Sequence, residues 1–142
     1  MLSQNVLFEG ASTGDEQYDP PGKRVISLVV DFLRQKGYSP EAIQNWRDSG
    51  WSTTLPLGTA NLQIALARVS PPNQWMAQIA SLDQPGALRR LFGAQLRDCS
   101  SELFEVALVV HAALTDAGFA NIKWCIDGCP DESNSSPGPR RG

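Results

Sequence analysis

The chain contains one histidine, His111, so every histidine-dependent mechanism would have to use it. A general base needs an exposed ring, a group that orients it and a nucleophile within hydrogen-bond reach. Helical spacing places His111 beside Phe104, Leu108 and Thr115, at the edge of an apolar stripe, and these neighbours do not supply that set. Because histidine is a residue of intermediate burial, the sequence favours a half-buried neutral imidazole, satisfied by one hydrogen bond, over a catalytic base.

The cysteines offer the other candidate chemistry. Cys125 and Cys129 are separated by three residues and, together with His111, could supply thiolate and imidazole ligands to zinc. One close pair and a distant histidine make a weaker pattern than two close pairs, so ordinary thiols are favoured and no metal or other cofactor is expected. Cys99 lies just before a long predicted helix and is the candidate nucleophile, but no histidine lies near it in sequence.

A basic cluster indicates a possible anion site. Arg89, Arg90 and Arg97 lie on either side of Gly93 and form the most basic segment of the predicted domain. Guanidinium groups pair bidentately with phosphates and carboxylates, so these arginines are candidates for binding a small anionic ligand. A solvated helix face is the more common use of such a cluster.

Tryptophan is the remaining candidate for a binding surface. Trp75 and Trp124 lie on predicted strands, and Trp46 and Trp51 flank the turn at Gly50. Tryptophan is enriched in protein interfaces, but the large area that each ring buries favours core packing. An exposed tryptophan would be the best indicator of a partner surface.

Length and composition limit the class of protein. A chain of 142 residues with 42% hydrophobic and 19% charged residues is typical of one globular domain. The net charge of −3 argues against nucleic acid and anionic membrane as partners, because both require a basic surface. The first ten residues contain no Lys or Arg and lack a secretory signal, and three cysteines are few and odd in number. We therefore expect a cytoplasmic protein with reduced thiols.

Hydrophobic periodicity positions these candidates on a series of helices and strands. A helix over Lys23–Lys36 ends at Gly37, and Ser39-Pro40-Glu41 predicts the start of a second helix that ends at Gly50. For residues 60–69 the alanines also permit a helix instead of a strand. The remaining predicted elements are an edge strand over Trp51–Leu55, strands over Leu62–Leu66 and Gln74–Leu82, a short helix that ends at Gly93, a long helix over Glu102–Ala117 and a strand over Asn121–Asp127.

This order, α-α-β-β-β-α-α-β, predicts a single α+β domain with an antiparallel sheet of about four strands and helices on one face. Residues 1–22 are predicted to be a loosely ordered segment, in which Val6, Leu7 and Phe8 could add a short strand or lie against the core. Residues 23–128 are predicted to be the domain, and residues 129–142 a flexible tail rich in Ser, Pro and Gly.

Three functional classes are compatible with these features. The favoured one is a non-catalytic binding or adaptor protein that contacts another protein, or a second copy of itself as a homodimer, through a sheet edge or an exposed aromatic patch. It is favoured because catalytic groups are sparse and apolar residues are plentiful. The second is a small-molecule or anion-binding pocket anchored by Arg89, Arg90 or Arg97. The third is an enzyme that uses His111 with a cysteine or a metal.

Overall fold

The computed structural model describes residues 1–12, 14–84, 87–93 and 98–142, except for the side chains of Ala87 and Arg90. These residues form a six-stranded antiparallel sheet and two longer helices that pack against it. In chain order the elements are β1 (Ser3–Glu9), a 3₁₀ turn (Asp15–Gln17), α1 (Lys23–Gln35), β2 (Gln44–Trp46), β3 (Gly50–Leu57), β4 (Ala60–Ser70), β5 (Gln74–Ser81), α2 (Ala87–Leu91), α3 (Ser100–Asp116) and β6 (Ala120–Ile126).

The sheet has the strand order β2-β3-β4-β5-β1-β6, so the first strand of the chain lies inside the sheet. The α+β class agrees with this architecture, but the prediction of about four strands is wrong. The two strands outside the predicted order are β1 and β2, although Val6, Leu7 and Phe8 had been allowed as a short strand. Residues 60–69, for which a helix had been the alternative, lie in β4.

The strand β1 has a weak sequence signal because Ser3, Gln4 and Asn5 are polar residues that the fold buries. Its apolar part is short, and only Val6 and Phe8 point into the core. Pairing with β5 on one side and β6 on the other supplies the backbone hydrogen bonds that stabilise the strand. A segment predicted to be loose therefore contributes an inner strand.

The strand β2 replaces the predicted second helix. Arg47 and Asp48 both have positive φ, and the Ser49 N–H donates to the Trp46 carbonyl at 3.0 Å, which makes a two-residue hairpin turn between β2 and β3. Such turns normally contain Asn-Gly, Asp-Gly or Gly-Gly, so Arg47-Asp48, which has no glycine, lacks the strongest sequence signal for one. The predicted edge position of β3 is wrong at its first residues, because β2 pairs with Gly50–Ser52.

The core lies between one face of the sheet and the helices α1 and α3. Alternate strand residues point towards the helices, as the two-residue period of a strand requires. The helical contribution comes from residues such as Val25, Val29 and Leu33 of α1 and Leu103, Val106 and Val110 of α3. The largest fully buried strand residues are Trp75, Trp124, Phe8, Leu55, Leu62, Ile64, Leu66 and Ile79.

Both chain ends contact the domain. Oδ1 of Asp15, a buried residue, accepts hydrogen bonds from the Gly22 and Arg24 amides at 3.2 and 2.8 Å and so caps the start of α1. Ser136 exchanges two backbone hydrogen bonds with Trp124 of β6, the edge strand. The flexibility expected of residues 129–142 stays a prediction that hydrogen exchange can test.

Candidate functional site

The side chain of His111 is held by Trp124. Nδ1 of the half-buried His111 accepts a hydrogen bond of 3.0 Å from Nε1 of Trp124, whose ring is fully buried. An accepting Nδ1 carries no proton, so its lone pair is not free to act as a base while this bond is intact. The arrangement favours a structural role for His111.

The cysteines do not form a cluster with the histidine. Cys99 is buried, and its thiol lies 3.7 Å from the Ser81 hydroxyl. Cys125 is also buried, and Cys129 is exposed. Within the residues that the structure describes, no three His, Cys, Asp or Glu side chains are placed to hold a metal ion. No helix in this part of the chain is long and apolar enough to cross a bilayer.

The structure describes the predicted ligand-binding residues only in part. Trp75 and Trp124 are buried in the core, so neither contributes an exposed aromatic surface. Arg89 is exposed on α2, Arg90 is described only by its backbone, and Arg97 lies outside the described residues. The proposed three-arginine anion site is therefore not tested by the structure.

A cleft of about 440 Å³ lies beside the first turns of α1. Lys23 and Arg24 line it together with Phe119, and Asp31 lies about two turns further along the helix. The Lys23 ammonium lies 5.3 Å from the Tyr18 ring and 5.2 Å from the Trp51 ring, so its charge is already engaged. Asp15 occupies the amides at the helix start, which leaves little for an anion to bind there.

The helix α2 is the most exposed apolar element. Leu88 and Leu91 are 69% and 81% exposed, and Phe92, directly after the helix, is 84% exposed. These three residues have the i, i+3, i+4 spacing of one helical stripe. Isolated exposed leucines are ordinary, whereas a contiguous exposed patch marks an interaction surface. The sequence predicted an apolar helix here but did not indicate that its stripe faces solvent.

A second apolar feature is a groove between α1 and α3, of about 320 Å³. Phe32, Leu108, Val109 and Ala112 line it, and Leu108 is 46% exposed. At one end the Tyr38 hydroxyl donates a hydrogen bond of 2.7 Å to the Glu105 carboxylate. Burial, this hydrogen bond and the charge of Glu105 raise the pKa of Tyr38 from 10.0 to about 12.

Because the pKa of Tyr38 is raised, we expect the stability of the folded chain to depend on pH in the alkaline range. The folded chain holds this proton where an unfolded chain has lost it, so the stabilisation is complete below pH 10.0 and is lost as the pH rises through about 12. Subtracting the tyrosinate absorbance of Tyr38→Phe from that of the unmutated chain isolates Tyr38. We expect Glu105→Gln to lower this pKa towards the ordinary value. An ordinary tyrosine titration in the unmutated chain would contradict the Tyr38–Glu105 contact.

The sheet face opposite α1 and α3, here called the outer face, carries mainly small and uncharged residues. Register places Ser52, Ala65, Gln78 and Asn5 in one row across β3, β4, β5 and β1. A depression of about 380 Å³ lies at the β1 end of this row, next to Asp127. This region was not predicted from sequence, because its residues are ordinary polar side chains that become neighbours only through strand register.

Comparison with known proteins adds no assignment. No family model, curated protein or solved structure matches this chain. The function is therefore inferred from the surfaces described above: the α2 stripe, the α1–α3 groove and the outer-face depression.

Proposed function

We propose that the chain is a non-catalytic protein-binding domain whose binding element is the α2 stripe, and that the occupant is the α1–α3 groove of a second copy. The single observation that supports a binding role is the exposure of Leu88, Leu91 and Phe92 on one side of α2. A sheet edge and an exposed tryptophan patch, the two contact routes considered from sequence, are less favoured. At the sheet edges, Trp124 of β6 pairs with Ser136, and β2 is three residues long. Trp75 and Trp124 are buried.

The energetics of the stripe are suited to association. Burying a leucine or phenylalanine side chain contributes roughly 1.5–3 kcal/mol, so the three residues supply on the order of 5 kcal/mol. In a symmetric dimer the contact forms twice. Because association costs roughly 4–15 kcal/mol, we expect a weak dimer whose population depends on concentration.

A second copy is the proposed partner because one chain carries both the stripe and the groove that receives it. An apolar stripe fits an apolar groove in the way that amphipathic helices bind their partners. The charges beside the two surfaces are also complementary, since Arg89 is exposed on α2 and Glu105 lies at the end of the groove. The cation of the groove, Lys36, lies 5.3 Å from the Phe32 ring centroid.

The test is the oligomeric state of the full chain, measured by sedimentation velocity over a concentration series. We expect a reversible monomer–dimer equilibrium for the unmutated protein, and monomers for the stripe variant Leu91→Ser/Phe92→Ser and the groove variant Leu108→Glu. Val69→Ser is the matched control, because Val69 is 49% exposed on β4, outside the stripe and the groove. It should leave the equilibrium unchanged.

Mixing the two variants distinguishes this contact from a stripe-to-stripe dimer. The groove variant retains an intact α2 stripe and the stripe variant retains an intact groove. The mixture should therefore form a heterodimer through one contact, weaker than the unmutated dimer and populated at higher concentration. A monomeric unmutated chain at all concentrations, or a dimer that survives the stripe variant, would overturn the proposal.

A cytoplasmic location is part of the same proposal. Its support is that Cys99, Cys125 and Cys129 are free thiols, two of them buried, which suits a reducing compartment.

A further inference from the structure

A polar depression on the outer face of the sheet carries an inference independent of the proposed dimer. Asn5 of β1 pairs with Gln78 of β5 on one side and Cys125 of β6 on the other, so its side chain lies between those strands on the outer face. The depression is lined by Asn5 and Gln78 together with Ser3, Met76 and Asp127. None of its lining residues belongs to the α2 stripe or the α1–α3 groove.

The side-chain oxygen of Asn5 is a buried hydrogen-bond acceptor to which no described group of the chain donates. The residue is 1% exposed, and its Nδ2 donates a hydrogen bond to the Gly128 carbonyl. Its Oδ1 is buried and has no hydrogen-bond partner in the described part of the chain. Buried carboxamide oxygens are nearly always paired, and leaving one unpaired costs roughly 1–3 kcal/mol. An N–H donor from outside the chain would satisfy this oxygen.

The charge of the depression is set by Asp127. Its Oδ1 accepts hydrogen bonds of 2.7 Å from both the Leu2 and Ser3 amides, which fixes the carboxylate in place. The side chain is 43% exposed, and its Oδ2 lies 4.0 Å from the N-terminal ammonium of Met1, so a ligand cation would compete with that ion pair for the carboxylate. Among the described side chains that line the depression, Asp127 is the charged one, and the hydroxyl of Ser3 and the carboxamide of Gln78 add further acceptors.

We propose that this depression binds a cationic group with N–H donors, a guanidinium or a primary ammonium, carried on a short aliphatic chain. Such a cation donates several hydrogen bonds and accepts none, which matches a site rich in acceptors with one carboxylate. Leu2 and Met76 line the same depression and suit the aliphatic part.

Amide NMR titration of the full chain tests the site with n-butylguanidinium and n-butylammonium as probes. We expect saturable shifts confined to residues 3–7, 76–80 and 127–129. Tetramethylammonium has the same charge without N–H donors and should not produce them. If tetramethylammonium moves the same resonances equally, or if the shifts lie on α1 and α3, the site is overturned.

The variants test the two recognition groups. Asp127→Asn keeps an acceptor for the Leu2 and Ser3 amides but removes the charge, so we expect binding at least about tenfold weaker. Glu132→Gln removes an exposed carboxylate of the same C-terminal segment and is the matched control, with unchanged affinity expected. If Asp127→Asn does not fold, Gln78→Leu on the exposed surface of β5 replaces it and should also weaken binding. Unchanged affinity in the folded variant would overturn the proposal.

The source of the cation is resolved by one further probe, N-acetylarginine methylamide. Tighter binding than n-butylguanidinium indicates an arginine side chain of a partner protein, and equal or weaker binding indicates a free amine or guanidine. Both results support the same site. The dimer experiment is unaffected by either, because Asn5 and Asp127 lie outside its two surfaces.

Discussion

Replacing Gly50 with alanine is expected to lower the free energy of unfolding by at least about 3 kcal/mol. Gly50 is the first residue of β3, and a Cβ added to it would overlap the carbonyl oxygen of Leu66 and lie 2.9 Å from the carbonyl carbon. The obstructing atoms belong to the backbone of β4, so no side chain can turn aside to make room. The start of β3 would have to separate from β4, and the β2–β3 hairpin would move with it.

Chemical denaturation of Gly50→Ala measures this loss, with Gly138→Ala as the matched control. A Cβ on Gly138 would meet no atom within 4 Å, and the backbone there is not left-handed, so alanine should change stability by no more than about 0.5 kcal/mol. Equal stability of the two variants would show that Gly50 does not lie against the backbone of β4.

Amphipathic periodicity predicted much of the fold because burial on one face leaves a regular pattern. The predicted helix at Lys23 and the long helix ending near Ala117 correspond to α1 and α3, and Leu62, Ile64 and Leu66 do share the buried face of β4. These elements have a clear apolar side that follows the period of a helix or a strand.

The elements that were not predicted lack such a pattern for identifiable reasons. Gln4 and Asn5 are buried polar residues, so β1 depends on pairing with β5 and β6 rather than on apolar alternation. Arg47 and Asp48 both adopt left-handed backbone conformations, which aspartate tolerates but arginine rarely adopts. Local helix signals at Ser39-Pro40-Glu41 were overridden because the Glu41 amide and carbonyl bond to Thr54 and Thr53 of β3.

The candidate surfaces were less predictable than the fold. The helical spacing of Leu88, Leu91 and Phe92 is readable from sequence, but spacing alone does not distinguish a stripe that packs on the core from one that faces solvent. The unpaired Oδ1 of Asn5 depends on which strands flank β1. Both features arise from tertiary arrangement, which a local pattern does not contain.

The second large expected effect concerns Trp124 and His111. Trp124→Ala removes a fully buried ring and should lower the free energy of unfolding by roughly 3–5 kcal/mol. His111→Ala leaves the buried Trp124 N–H without an acceptor and should cost roughly 1–3 kcal/mol. His111→Asn, whose Oδ1 can replace Nδ1 as acceptor, should recover part of this loss, a rescue that a role limited to packing would not give.

A double-mutant cycle isolates the hydrogen bond itself. Trp124→Phe removes the donor and keeps most of the ring, so combining it with His111→Ala should destabilise the protein less than the sum of the single variants, by about 1 kcal/mol. Trp75→Phe is the matched control, because Trp75 is equally buried but donates to the Gly10 carbonyl instead. Its effect should add to that of His111→Ala. Additivity in both cycles would mean that His111 is not held by Trp124, and the imidazole would then be free for the chemistry that this bond argues against.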